Sequence, residues 1–325
     1  MISSPHCHTL RFDVQLYGQQ ILCWYDAYKR DLPWRKNRDP YRVWLAEIML
    51  QQTRVAAVAE YYARFLKRFP TVQALAAARL SSVLAMWSGL GYYRRARSLH
   101  QAAKKIAKIG AFPSTAEQLQ TLPGIGQYTA AAVASIAFGE PIAVVDGNVE
   151  RVLQRLTGGS LSKQEVWTSA QSVLNRQRPG DFNQAMMELG ATICLPRQPK
   201  CLLCPVWKHC ATRGELSRTR VEVRHKRQIC YGLSLRNDAV FLVHRSKKCS
   251  LMPGMWELPE ISEPNGGYPT ALTLQHAITV TDYKVRVARG PIPDSVQGRW
   301  VRRSRLPELP LTGLARKILR ASQVI

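Results

Sequence analysis

Acidic side chains are scarce in this chain: 22 Asp plus Glu stand against 46 Lys plus Arg over 325 residues, a formal net charge of +24. Such a deficit points to a polyanionic partner and salt-dependent phosphate binding, although it specifies neither a base sequence nor a reaction. The excess is not confined to a tail, because residues 214–325 carry 19 basic and 9 acidic side chains and residues 1–213 carry the remaining +14. Long apolar runs are also missing. The longest, Ala130 to Phe138, is far short of the roughly 20 residues that cross a bilayer. His6, His8, Arg11 and Asp13 interrupt any apolar core that a secretion signal would need. Paired cysteines are missing outside one short segment: Cys7, Cys23, Cys230 and Cys249 are scattered, which argues against a secreted disulfide framework and for a reducing, intracellular setting. No internal repeat or low-complexity tract interrupts the text.

What is there begins with the other four cysteines. Cys194, Cys201, Cys204 and Cys210 fall within seventeen residues, separated by six, two and five. Thiolates this close in sequence converge without long-range folding, and soft sulfur ligands in fours select zinc or an iron–sulfur cluster. Zinc ribbons usually pair two CxxC knuckles, whereas here one CxxC is flanked by single cysteines, with Pro196, Pro199 and Pro205 stiffening the turns. The spacing therefore favours a 4Fe–4S cluster, with a Cys3His zinc site using His209 as the alternative. Arg197 and Lys200 lie between the first two cysteines, so a folded metal loop would present cations to phosphates.

Apolar spacings of three and four dominate residues 11–213 and predict helices over 14–30, 41–54, 55–68, 72–78, 81–88, 92–109, 115–121, 128–138, 148–156, 163–174 and 181–192. Residues 214–228 are polar and basic and are expected to form a linker. From residue 229 short alternating runs, Leu233–Leu235, Val240–Val243 and Ala277–Val287, predict a mixed β region closed by a helix near 312–321. The expected fold is multi-domain: an all-α region over 1–213, then an α+β region over 229–325.

Three constellations in the helical region carry chemistry. In Leu122-Pro123-Gly124-Ile125-Gly126-Gln127-Tyr128-Thr129-Ala130, Gly124 and Gly126 shape a tight turn that opens an alanine-rich helix. Bare backbone and a helix N-terminus suit a DNA phosphate, the pattern of a helix-hairpin-helix. In Val145-Asp146-Gly147-Asn148-Val149, Asp146 immediately precedes renewed helical periodicity, where a carboxylate accepts backbone N–H bonds at the positive end of a helix dipole. Taken alone, such an Asp is an ordinary cap. In Trp44-Leu45-Ala46-Glu47-Ile48-Met49, Glu47 borders an apolar stripe, so desolvation should raise its pKa towards that of a general acid. A neutral acid beside an anionic carboxylate is the pairing that glycosidic cleavage uses.

Together with Gln51-Gln52-Thr53 and the cysteine spacing, these segments resemble the MutY-type adenine DNA glycosylases of the endonuclease III, helix-hairpin-helix superfamily. The resemblance spans about residues 30–210. It implies a six-helix domain over about 30–140, and a domain built from the N-terminal helix plus about 141–213 that holds a 4Fe–4S cluster on Cys194, Cys201, Cys204 and Cys210. By position, Glu47 protonates adenine N7 and Asp146 stabilises an oxocarbenium-like sugar, with Tyr128 and Asn148 in support. Trp34, Arg35 and Glu188 would line the adenine pocket. Gln52 and Tyr92 would enter the base stack as the nucleotide is flipped out. Gln51, Gly124, Gly126 and Thr279 would touch DNA.

The resemblance further implies a cytoplasmic, nucleoid-associated monomer acting on double-stranded DNA with adenine opposite 8-oxoguanine or guanine. Tyr128 stands where strand-cutting relatives carry lysine, and a phenol cannot form the Schiff base that drives β-elimination. The expected activity is therefore monofunctional. The alternatives are an endonuclease III-type lyase for oxidised pyrimidines and a non-catalytic iron–sulfur DNA binder. The C-terminal region resembles the family's Nudix-like reader of oxidised guanine, with Leu251-Met252-Pro253-Gly254-Met255-Trp256-Glu257-Leu258-Pro259 as its signature. The usual Phe-Ser-His of its sensing loop is replaced by Ile278-Thr279-Val280, and Glu150 stands where some relatives carry lysine.

Overall fold

A computed structural model describes residues 12–216, 225–246, 248–249, 252–261, 270–278, 281–293 and 295–325. Residues 12–216 are helical, with α1 (Val14–Tyr28), α2 (Pro40–Leu50), α3 (Val55–Arg68), α4 (Val72–Ala77), α5 (Leu80–Trp87), α6 (Tyr93–Ile109), α7 (Ala116–Gln120), α8 (Gln127–Phe138), α9 (Gly147–Thr157), α10 (Lys163–Val173) and α11 (Pro179–Thr192). Short 3-10 turns carry Pro33–Arg35, Cys201–Leu203 and Trp207–His209. Local chemistry sets these bounds. The side chain of Asp13 caps α1 through the amides of Gln15 and Leu16, Asp39 with Pro40 opens α2, and Ser162 with Glu165 forms a capping box on α10.

One predicted helix is too long. The expected 41–54 stops at Leu50, because Gln52 takes a left-handed φ of +55° and Arg54 already serves as the N-cap of α3. The side-chain amide of Gln51 instead donates to Thr129 Oγ1 at 3.0 Å.

By internal packing the chain divides into two units, residues 1–52 with 105–219, and residues 53–104 with 220–325. In the first, Tyr17, Ile21 and Tyr25 of α1 join Val149, Val152, Leu153 and Leu156 of α9 and Phe182, Ala185, Met186 and Leu189 of α11 in one core. Each large apolar side chain buried there contributes about 1.5–3 kcal/mol. In the second, the edge of Trp87 meets Phe65 at 6.0 Å between ring centres.

The second unit also holds two sheets, built from β1 (His225–Leu233), β2 (Leu235–Arg236), β3 (Ala239–His244), β4 (Trp256–Glu257), β5 (Thr270–Ile278), β6 (Thr281–Arg289) and β7 (Arg299–Arg302), followed by α12 (Gly313–Ala321). One sheet has the order β1-β6-β5, with β1 parallel to β6. In the other, β3 pairs with β2, β4 and β7. Val240, Leu242, Val285, Val287 and Val301 face Leu314, Ile318 and Leu319 of α12 in a shared core.

Two boundaries differ from expectation. The run Ala277–Val287 is not one strand but is divided between β5 and β6, and pairing starts at His225 rather than after residue 228. The candidate sensing residues Thr279 and Val280, and residues 217–224 of the expected linker, lie outside the described residues. Glu257 sits in β4 and pairs with Arg245. No helix among the described residues is long and apolar enough to cross a membrane.

Candidate active site

Helix α2 turns Trp44, Leu45, Ile48 and Met49 into the interior, and Glu47 goes with them: only 6% of it is exposed. It is more deeply buried than a residue bordering an apolar stripe need be. Tyr128, in the first turn of α8, donates its hydroxyl to Glu47 Oε2 at 2.6 Å and lies 3.6 Å from Met187 Sδ. Burial pushes the Glu47 carboxyl up to about 7. The Tyr128 hydrogen bond and Arg35 pull it down, and the negative charge of Asp146 adds to the rise. Burial also holds the Tyr128 phenol well above its ordinary value, assisted by Glu47 and Asp146, so it remains a donor. The pair joins residues 81 positions apart.

Asp146 caps α9 as the sequence predicts. Its Oδ1 accepts from the amides of Asn148 (2.9 Å) and Val149 (2.8 Å), and its Oδ2 accepts from Asn148 Nδ2 (2.8 Å). Three donors fix the carboxylate in one orientation. Asn148 is itself held. Arg151 Nη2 donates to Asn148 Oδ1 at 2.9 Å and to Gly190 O at 2.7 Å, and Arg151 Nε donates to Cys194 O at 2.8 Å. Sequence reasoning passed over Arg151; its place three residues after Asn148, one helical turn on, was the available signal.

Gly190 is what lets α11 approach α9 this closely. A Cβ there would lie 2.6 Å from Asn148 Cβ and 3.0 Å from Asn148 O. Gly190→Ala is therefore expected to cost about 1–3 kcal/mol, as overpacking does, and to displace Asn148. Urea unfolding should show the loss, and a midpoint within error of wild type would disprove the tight fit.

Glu188 is 1% exposed and is held by two arginines. Arg30 Nε and Nη2 donate to it at 2.6 and 2.7 Å, and Arg35 Nη2 donates at 2.8 Å. Burial works to raise its pKa, yet these two guanidiniums bring it down to about 2. Arg30 had no signal in the sequence. Arg35 also lies over the Tyr25 ring at 5.4 Å, and Trp34 beside it is buried. Through Arg35, the Glu188 cluster and Glu47 share one electrostatic neighbourhood.

The hairpin turn before α8 uses its glycines unequally. Gly124 has φ +76°, which favours glycine, whereas Gly126 caps α8 at φ −92° with no side-chain hydrogen bond and open space where a Cβ would stand. The structure places Gln51 against Thr129, the residue after Tyr128. Tyr92 belongs to the second unit, where its φ is +48°, its ring is 43% exposed, and the Arg95 guanidinium lies 5.3 Å from the ring centre.

Cys194, Cys201, Cys204 and Cys210 line one cavity, together with Arg155, Ile193, Pro199 and Trp207. Arg155 Nη1 donates to Cys194 Sγ at 3.2 Å and to Leu195 O at 2.7 Å, placing a buried cation beside the sulfurs. Among the described residues, no three His, Cys, Asp or Glu side chains converge as they would around a single ion. His209 is turned away, with Nε2 3.0 Å from Gln20 Oε1 and its ring against Phe12 and Tyr17. Four thiols around a shared space, with the Arg155 guanidinium beside Cys194, are a donor set that fits a thiolate-ligated metal group.

Comparison with known proteins places this geometry. Residues 45–175 match the HhH-GPD superfamily of base excision DNA repair proteins. The human adenine DNA glycosylase is 46% identical over 237 residues, covering 68% of this chain and 43% of its own length. The adenine DNA glycosylase of Arabidopsis thaliana is 39% identical over 301 residues, covering 77% and 48%. The chain thus spans about half the length of these curated relatives. A thermostable thymine-DNA glycosylase of known structure is 31% identical, with a TM-score of 0.58, over 62% of this chain and 96% of its own. An endonuclease III–DNA complex, 24% identical with a TM-score of 0.54, shares the fold. With its helical hairpin, capped aspartate and matched core, the chain belongs to the HhH-GPD superfamily of base excision DNA repair proteins.

Proposed function

We propose that the chain is a monofunctional adenine DNA glycosylase that hydrolyses the N-glycosidic bond of adenine opposite 8-oxoguanine or guanine in duplex DNA. The observation that carries this reading is the buried Glu47, held near neutrality by burial and touched by the Tyr128 hydroxyl at 2.6 Å, in the same unit as the triply hydrogen-bonded Asp146. With adenine extruded from the stack, the Glu47 carboxylic acid protonates N7 and makes the base a neutral leaving group. Asp146 faces the positive charge that develops on the sugar and stabilises it, by a covalent bond to C1′ or electrostatically, until water adds. Tyr128 orients the acid, and Asn148, pinned by Arg151, orients the aspartate. Trp34, Arg35 and Glu188 line the base pocket. Gln51, Gly124 and Gly126 contact the DNA, and Gln52 and Tyr92 enter the stack.

Cys194, Cys201, Cys204 and Cys210 would hold a 4Fe–4S cluster, which when bound organises the basic loop of Arg197 and Lys200 against phosphates. Residues 229–325, after a linker at 214–228, serve as a Nudix-like reader of the opposing base, with Thr279 supplying the hydroxyl of its sensing loop. The chain acts as a cytoplasmic monomer on nucleoid DNA.

Free-base release from duplexes with adenine opposite 8-oxoguanine, guanine, cytosine and thymine tests the whole reading. Release is expected opposite the first two, leaving an intact abasic strand that breaks only with base or heat. Prompt nicking, or trapping of a Schiff base by borohydride, would instead assign the chain to the lyases. A search for release that found none from any duplex would leave only DNA binding.

A further inference from the structure

Apart from the site above, one buried polar cluster lies wholly within the unit formed by residues 53–104 and 220–325. Ser88, which follows α5, is 1% exposed. Its hydroxyl donates to Leu311 O at 2.7 Å and accepts from Arg316 Nε at 2.9 Å, and its carbonyl accepts from the Tyr61 hydroxyl at 3.0 Å. Tyr93, which opens α6, donates to the same Leu311 carbonyl at 3.0 Å and accepts from the Gly89 amide at 3.3 Å. Between these two anchors runs Gly89-Leu90-Gly91-Tyr92.

That turn is conformationally demanding. Gly89, Gly91 and Tyr92 have φ of +108°, +73° and +48°, and a Cβ on Gly89 would lie 2.0 Å from the Tyr61 oxygen. A left-handed tyrosine persists only when its surroundings over-determine the backbone. A serine hydroxyl has one proton to give. Here it goes to Leu311, and the charged donor that occupies the oxygen's acceptor side is a guanidinium in α12, 228 residues further along the chain. Removing that donor leaves the Ser88 oxygen with only the neighbouring Tyr93 hydroxyl beside it and weakens its hold on Leu311.

We propose that Arg316 is a positioning residue for Tyr92: by locking Ser88 it fixes the turn at whose tip Tyr92 is presented to the DNA stack. The inference rests on the glycosylase reading, in which Tyr92 enters the duplex. It gives α12 a part in base extrusion through Ser88.

The test compares Arg316→Met, Arg316→Lys and the milder Ser88→Ala with wild type. Amide hydrogen exchange of the peptide covering residues 88–93 should accelerate by on the order of ten-fold in Arg316→Met and Ser88→Ala, and recover in Arg316→Lys, with the unfolding midpoint lowered in step and exchange elsewhere in the chain still far slower than at the turn. Single-turnover adenine release should fall on the order of ten-fold for Arg316→Met in the Tyr92 background and under about two-fold in a Tyr92→Ala background, the non-additivity expected of residues acting as one unit. Unchanged exchange, or equal losses in both backgrounds, overturns the proposal. If wild type releases no adenine, the glycosylase reading fails while the exchange measurement still decides the brace.

Discussion

Glu47→Gln should reduce single-turnover adenine release by about 10²- to 10⁴-fold, the usual contribution of a positioned general acid, without unfolding the protein. Gln is nearly isosteric and keeps a carbonyl oxygen to accept the Tyr128 hydroxyl, so the packing of α2 is unaffected. On the proposed glycosylase reading, what disappears is the proton delivered to the base. The wild-type pH profile follows from the same physics. Burial raises the Glu47 carboxyl to about 7, so the competent protonated form dominates below that value and drains away above it. Release should therefore decline as pH passes through about 7, and a rate that stays flat to pH 9 would mean that another group supplies the proton.

Stability carries an independent signature of that burial. The folded-state pKa of Glu47 is raised above its unfolded value, so its contribution is fully present below about 4.5 and is lost as pH rises through about 7. The loss amounts to about 3 kcal/mol at 1.36 kcal/mol per pKa unit. Glu47→Gln removes this slope. Urea midpoints measured at pH 5 and pH 8 should fall more for wild type than for the variant, making the inactive protein the more stable one under alkaline conditions. Parallel midpoints would show that Glu47 is not buried as described.

Asp146→Asn is expected to lower release by on the order of 10²–10³-fold, the scale of removing one preorganised electrostatic group, with little effect on folding. Asp and Asn are equally good helix caps, and the amides of Asn148 and Val149 still find an oxygen at Oδ1. The change falls on the other atom. Oδ2 now accepts from Asn148 Nδ2, so an amide nitrogen there would meet a second nitrogen, and Asn148 cannot flip to help because Arg151 holds its Oδ1. On the proposed reading, both the negative charge and the third anchoring hydrogen bond are lost where positive charge develops on the sugar. Undiminished release by Asp146→Asn, measured beside an unchanged duplex affinity, would remove this residue from the chemistry.

Much of this is legible in the residues themselves. Apart from the early end of α2, the eleven helices of residues 12–216 start and stop close to their expected places, because periodic apolar residues, Ser162 with Glu165, and Pro40 after Asp39 act over one or two turns. The cap made by Asp146 and the gathering of four cysteines around one cavity are equally local. Other features have no local trace. Glu188 meets Arg30 and Arg35 across more than 150 positions, and Arg316 reaches Ser88 across 228. The strands are blurred for a related reason: pairing across a hairpin decides where Ala277–Val287 divides, and period-two alternation does not mark that point.

By itself, then, the sequence determined which segments would be helices, where an anion would sit on a helix end, and that a strongly basic surface would seek phosphate, since backbone propensity, capping and net charge are properties of near neighbours or of simple sums. The apolar stripe around Glu47 already pointed to a raised carboxyl, but only the tertiary structure decided that it would be buried against Tyr128, that Glu188 would sit between two arginines, and that Tyr92 would stand on a braced turn. Desolvation and ion pairing depend on what every distant segment brings to a point, and that is settled when the chain packs.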